Sequence, residues 1–204
     1  MNNNVVVGLL VALVVGAAGG YLIGNTKSSA SMTDKSAMQA AVINTSSSPD
    51  EKIANAMSAA PENIAKDAAV LDWPAAEGKD FASLKSGTNG WTCLPDDPTT
   101  PGNDPVCVDA NAMKFFQAWM TKTTPKLSQT GLAYMLQGGS DPSNTDPYAT
   151  GPAQGEDWMH APPHVMIFPT TPPDAKVYGT NPDTGGPWVM WAGTPYAHLM
   201  VPVQ

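Results

Sequence analysis

The sequence predicts an α+β domain behind an N-terminal membrane helix, and three observations predict it. A charge-free apolar run opens the chain, helix-start signals cluster between Ser48 and Asp109, and beyond Gly131 the apolar period changes from that of a helix to that of a strand. Two or three short helices should therefore precede a small, mainly antiparallel sheet.

Val5 to Gly24 form a 20-residue stretch without a charged side chain, the length that a bilayer core asks of a helix. A secretory signal carries a basic n-region and a shorter apolar core, whereas Met1-Asn2-Asn3-Asn4 offers only the α-amino charge. Residues 1–24 are accordingly expected to remain as a transmembrane anchor, with cleavage near Ser28-Ser29-Ala30 as the alternative. Gly16, Gly20 and Gly24 repeat every fourth residue, line one helix face and would let a second helix approach, a route to self-association. Lys27 and Lys35 follow the helix and weakly favour a cytoplasmic C-terminal portion. The two cysteines and the Ser/Thr/Asn-rich spacer favour the other side, and long domains translocate largely regardless of flanking charge, so the domain is expected to be extracytoplasmic.

Residues 25–48 have the composition of a flexible linker. Of 20 prolines, 19 lie at or beyond Pro61, which puts a single exported domain at 49–204. Ser48-Pro49-Asp50-Glu51 combines a capping Ser, Pro at the first helical position, acids at the positive end of the dipole and Glu three after the cap. This first helix should run to about Ala60. Pro61-Glu62 restarts the pattern, with Ile64, Ala65, Ala68 and Leu71 on one stripe until Trp73-Pro74. Asp109 caps a third helix with Met113, Phe116, Trp119 and Met120 on its apolar stripe and Pro125 beyond its end. Strands are predicted at 131–136, 165–168, 175–178, 188–191 and 198–203, each bounded by Gly, Pro or Asx residues.

Charge and motif content exclude several functions. The net charge is −8 and all ten basic residues are Lys. Without Arg there is no bidentate fork for phosphate or guanine, and an acidic chain is repelled by a polyanion, so nucleic acid is not the partner. Neither a Walker-type loop nor a GxGxxG after a strand is present, which argues against nucleotides. With three His and no GxSxG, a hydrolytic triad has little to draw on, and catalysis is the less favoured class. A membrane-tethered binding or scaffolding module of the envelope, with an envelope protein or a second copy as partner, fits better.

The blocks GTNGWTC (87–93), GNDPVCVD (102–109), YMLQGGSDPSNTDPYAT (134–150) and PWVMWAGTPYAHLMVPV (187–203) resemble those of a family of uncharacterised exported bacterial proteins. The resemblance implies export and brings no activity, ligand or catalytic residue.

Cys93 and Cys107 are the only cysteines, and in an exported chain the plain expectation is a disulfide across the Pro/Asp/Gly-rich loop between them. A metal-binding or redox pair is the alternative, but CxxC spacing is lacking. Asp96, Asp97, Asp104, Asp141 and Asp146 invite a calcium reading. Four of these, with Asn181, directly precede a Pro, so turn chemistry explains them better. Six Trp and five Tyr, with Glu156-Asp157 beside Trp158, would suit a carbohydrate-stacking platform, although Trp more often fills a core.

The sharpest pattern is a repeated HxM. His164-Val165-Met166 and His198-Leu199-Met200 stand on two predicted strands, where residues two apart share a face. If the strands are neighbours, His164, Met166, His198 and Met200 converge into a soft donor set that suits copper as Cu(I), with Val165, Ile167, Leu199 and Val201 turned to the core. Met159, His160 and Met190 are further candidate ligands. The competing expectation is ordinary core filling by Met, with a histidine satisfied by a backbone carbonyl. Pro162-Pro163 excludes a helical HxxxH zinc arrangement of His160 and His164 with Glu156.

Overall fold

The computed structural model describes residues 47–76 and 78–203. The anchor at 1–24, its Gly16/Gly20/Gly24 face and all but the last two residues of the linker lie outside the described residues. Among those described, no helix is long and apolar enough to cross a membrane.

The first helix, α1 (Pro49–Met57), starts as the sequence predicts: Ser48 Oγ accepts from the Glu51 amide, and Glu51 Oε2 accepts from the Ser48 amide at 2.7 Å. The second differs from expectation. Helix α2 stops after Glu62–Ala65 and the chain turns extended as β1 (Ala69–Asp72). No side chain caps α2, and the backbone that would have continued it bonds elsewhere, Thr88 N–H donating to Asp67 O and Ala69 N–H to Trp91 O. Sheet pairing outweighs the weak helical preference of a short Ala-rich run. The third helix, α3 (Ala110–Met120), is capped by Asp109, whose Oδ1 accepts from the Asn111 and Ala112 amides.

Strands β2 (Ala82–Lys85), β3 (Thr92–Leu94), β4 (Val106–Val108), β5 (Gly131–Met135), β8 (His164–Phe168), β9 (Trp188–Met190) and β10 (His198–Pro202) join β1 in an eight-stranded sheet. Its order is β2-β1-β3-β4-β5-β8-β10-β9, antiparallel except for β1 with β3. Strands β6 (Gly139–Asp141) and β7 (Met159–Ala161) form a separate two-stranded ribbon. The molecule is thus α+β with a mainly antiparallel sheet, but strands begin at Ala69 rather than after the helices. Residues 175–178, predicted as a strand, form the short helix α4 (Ala175–Tyr178), because Asp174 caps it through a bond from the Lys176 amide.

Each face of the sheet has its own cluster. On one, α1, α2 and the turn between them lay Ala56, Ala59, Ala60 and Ala65 against Val70, Cys93 and Cys107. On the other, Phe115 of α3 packs with Leu94, Val108, Met166, Phe168, Trp188 and Met200. Cys93 and Cys107 are direct cross-strand partners on β3 and β4 and are joined in a fully buried disulfide. The bridge closes a loop of 14 residues' separation, which contributes about 3 kcal/mol on the chain-entropy view. A Cys93→Ala/Cys107→Ala variant should melt roughly 6–12 °C below the parent in a calorimetric scan. An unchanged midpoint would remove the bridge from the stability argument.

Candidate functional site

The two HxM strands are neighbours. Strands β8 and β10 pair antiparallel with Met166 opposite Met200 and His164 opposite Pro202, which sets His198 across from Phe168 by continuation of the register. His164, Met166, His198 and Met200 therefore share one face. It is the buried one: the histidines are 1% and 2% exposed and the methionines 6% and 3%. The orientation is the reverse of that expected, since Val165, Ile167, Leu199 and Val201 are only half-buried on the outer face. Alternation is preserved, and α3 with its long flanking loops covers the His/Met side.

Both imidazoles are tied at one nitrogen. His164 Nδ1–H donates to Pro162 O at 2.7 Å and His198 Nδ1–H to Tyr196 O at 2.9 Å. A carbonyl only accepts, so each ring is the Nδ1–H tautomer and each Nε2 presents a lone pair. The carbonyl bond is that of an ordinary core histidine, but it satisfies half of each ring. Both Nε2 atoms are buried with no hydrogen-bond partner, a state that most buried polar atoms avoid. Burial drives both histidines below their usual range, against the stabilising carbonyl bonds. His198 falls to about 4, with charge on His164 acting in the same direction as burial. At neutral pH both rings are uncharged bases.

This wall borders a cavity of about 440 Å³. Its lining includes His198, Met166 and Met200, three further methionines (Met135, Met159 and Met190) and the indoles of Trp73, Trp119, Trp158 and Trp191. Four indole N–H groups hold loops: Trp73 donates to Pro95 O, Trp119 to Pro147 O, Trp191 to Ser143 O and Trp188 to Asn144 Oδ1. Trp119 and Trp191 stack at 5.8 Å. Trp191 sits in the left-handed region at φ 54°, a conformation a bulky residue adopts only under surrounding constraint. The aromatic side chains are thus walls and loop anchors, while Glu156 and Asp157 stand exposed on a loop.

Of the other candidate ligands, Met190 on β9 shares the His/Met face as the direct partner of His198. Met159 lines the cavity from the ribbon. His160 is exposed and faces Ser140 Oγ at 3.2 Å, away from the pair of buried rings. Met135, which sequence reasoning passed over, lies directly opposite His164 on β5. A third strand running beside β8 with its own methionine in register is a feature that only the pairing reveals.

The acidic residues behave as turn formers. Asp97, Asp141, Asp146 and Asn181 each accept, through Oδ1, from the amide two residues on. Asp104 takes the Asp97 amide and the Thr100 hydroxyl. Among the described residues no group of three His, Cys, Asp or Glu is placed to share an ion. No family model matches the chain, and no curated protein or solved structure matches it.

Burial raises Asp96 and Asp141 to about 7. For Asp96 the Asp104 amide works against the shift while the Asp104 side chain and the Asp97 charge add to it; for Asp141 the Ser143 amide opposes and the Asp104 charge adds. A raised folded pKa means that folding retains a proton that the unfolded chain, with its Asp pKa of about 3.9, has released. Asp141's contribution is complete below about pH 4 and is lost as pH rises through about 7. His198 works oppositely, losing its contribution as pH falls from about 6.5 toward 4. Asp141→Asn keeps the acceptor and mimics the protonated acid at every pH. It should gain on the parent in stability between pH 4 and pH 8 by on the order of 1–3 kcal/mol. Denaturant unfolding at several pH values checks this; a difference that does not change with pH would show that Asp141 ionises freely.

Proposed function

We propose that the domain is a soft-metal binding module of the cell envelope that takes up Cu(I) on the face carrying His164, Met166, His198 and Met200. The observation that carries the reading is the pair of buried imidazoles, each locked by a backbone carbonyl at Nδ1 and each offering an unpartnered Nε2 on the same sheet face as buried thioethers. Fixing the distal nitrogen through an outer hydrogen bond is how metal-binding histidines are oriented. Thioether and imidazole together prefer a soft ion. The four donors are themselves uncharged, and the side chains of Asp97, Asp104, Asp141 and Asp146 line the same cavity.

The disulfide supports an oxidising, extracytoplasmic compartment. With the apolar run at residues 5–24, the proposed arrangement is a tethered domain outside the cytoplasmic membrane. Intact mass of the envelope-extracted protein checks the tether: a chain retaining residues 1–24 is expected, and a mature form starting at Ser31 would reject the anchor.

Competition against a Cu(I)-specific chelator under anaerobic conditions tests the metal reading. The parent should withdraw Cu(I) from the chelator, and a His164→Ala/His198→Ala variant should lose at least tenfold in affinity. Met166→Leu/Met200→Leu, which conserves volume, guards against loss through misfolding and should weaken binding while preserving the near-ultraviolet dichroism. Equal uptake by the parent and both variants would sink the site.

A further inference from the structure

The four residues do not stand equally close to one another. Met166 and Met200 are directly opposite, with Cα atoms about 5 Å apart. His164 and His198 sit beyond them at the two ends of the strand pair, separated by four residue steps along the sheet, about 13 Å. A metal–nitrogen bond is only about 2 Å long, so a single ion shared by both rings requires each to reach toward the middle.

Each ring is instead held at its own end. His198 is packed among Phe168 at 4.9 Å, Trp191 at 5.1 Å and Phe115 at 5.7 Å between ring centroids. His164 lies by the ribbon at the other end. A Cβ added at Gly139 would stand 2.9 Å from Met135 Cε, 3.7 Å from Asp104 Cβ and 3.8 Å from His164 Cε1, so thioether, imidazole and the Asp104 side chain border the same spot. Each histidine also has a methionine as its direct cross-strand partner on the outer side, Met135 on β5 for His164 and Met190 on β9 for His198. The pattern across the four strands is therefore symmetric: Met135–His164 at one end, Met166–Met200 in the middle and His198–Met190 at the other.

We infer that the face holds two Cu(I) half-sites, one made by His164, Met135 and Met166 and the other by His198, Met190 and Met200. The inference rests on the Cu(I) reading and extends it to a second ion and to two ligands, Met135 and Met190. Each half-site supplies one imidazole nitrogen and two thioethers, a three-coordinate soft set for a monovalent ion, and the Asp104 side chain stands beside the first. The directly opposed Met166 and Met200 bring the two sets into contact, so an ion can pass between them by exchanging one thioether for the other.

Anaerobic Cu(I) titration of the full chain, read by chelator competition and by X-ray absorption, tests it. The parent should take two equivalents, with about one nitrogen and two sulfurs per copper. His164→Ala and His198→Ala should each retain one equivalent. Met135→Leu should weaken only the equivalent that survives in His198→Ala, and Met190→Leu only the one that survives in His164→Ala. One equivalent in the parent, with two nitrogens and two sulfurs per copper and complete loss in either histidine variant, would overturn the two half-sites and leave the Cu(I) reading standing. No uptake by the folded parent would overturn both. His160→Ala serves as a control and should match the parent throughout.

Discussion

The antiparallel register between His164–Phe168 and His198–Pro202 is the constraint on which the remainder of the candidate site depends. Side chains alternate with a period of two, so a slip of one residue in either strand would carry its histidine and methionine to the outer face and bring Val165 and Ile167, or Leu199 and Val201, inside. The register is held from both sides, since β5 pairs with β8 over Gly131–Met135 and β9 pairs with β10 over Trp188–Met190. Slippage would also expose Phe168, which is 1% accessible and packs against Phe115 with ring centroids 4.3 Å apart. Polar rings with a free lone pair are thus kept in the core by neighbours that gain from staying there.

The cavity follows from how the loops are attached. Asn144, Ser143 and Pro147 are tied to Trp188, Trp191 and Trp119 by indole hydrogen bonds, which hold the segment after the ribbon's first strand across the sheet without filling the space beneath it. Asp104 extends the same scaffold, accepting from the Ser140 amide on one side and the Asp97 amide on the other. The apolar interior and these satisfied polar edges leave the two Nε2 atoms as the unpaired polar groups among the buried side chains described.

Much of this was legible in the sequence, but unevenly. The Ser48 capping box, the Asp109 cap and the strands around both HxM motifs could be read because their signals are local. The helix expected through Leu71 failed because Val70 and Leu71 are claimed by pairing with residues 82–85 and 92–93, contacts distant in sequence. Strands of three or four residues such as Thr92–Leu94 and Val106–Val108 carry too few alternations to register against their Pro- and Asp-rich surroundings. Residues 175–178 alternate as a strand would, yet Asp174 supplies a cap that a four-residue pattern cannot outvote. The HxM repeat pointed to the right face-sharing residues and to the wrong direction for that face. Aliphatic β-branched residues are ordinarily the core side, and only the cover provided by α3 reverses the assignment.

If the face binds a metal as proposed, the uncharged character of its thioether and imidazole donors bears on which ion it would take. Transferring an ion from water into a largely apolar cavity carries a cost that grows with the square of its charge, so a dication faces roughly four times the penalty of a monocation before any ligand bond forms. Carboxylates would offset part of that cost, and those lining the cavity, Asp97, Asp104, Asp141 and Asp146, stand off the strand pair that carries the four donors and are engaged in loop hydrogen bonds, with burial opposing the ionisation of Asp141. Thioethers and neutral imidazoles add no charge of their own. Zn²⁺ and Cu²⁺ sites elsewhere combine imidazole with anions or retained water, whereas the proposed ligands are thioethers and imidazoles alone. On the proposed reading a monovalent soft ion would lose least on transfer and gain most from sulfur, so the burial that leaves two Nε2 atoms unpaired would also favour Cu(I) over Cu²⁺.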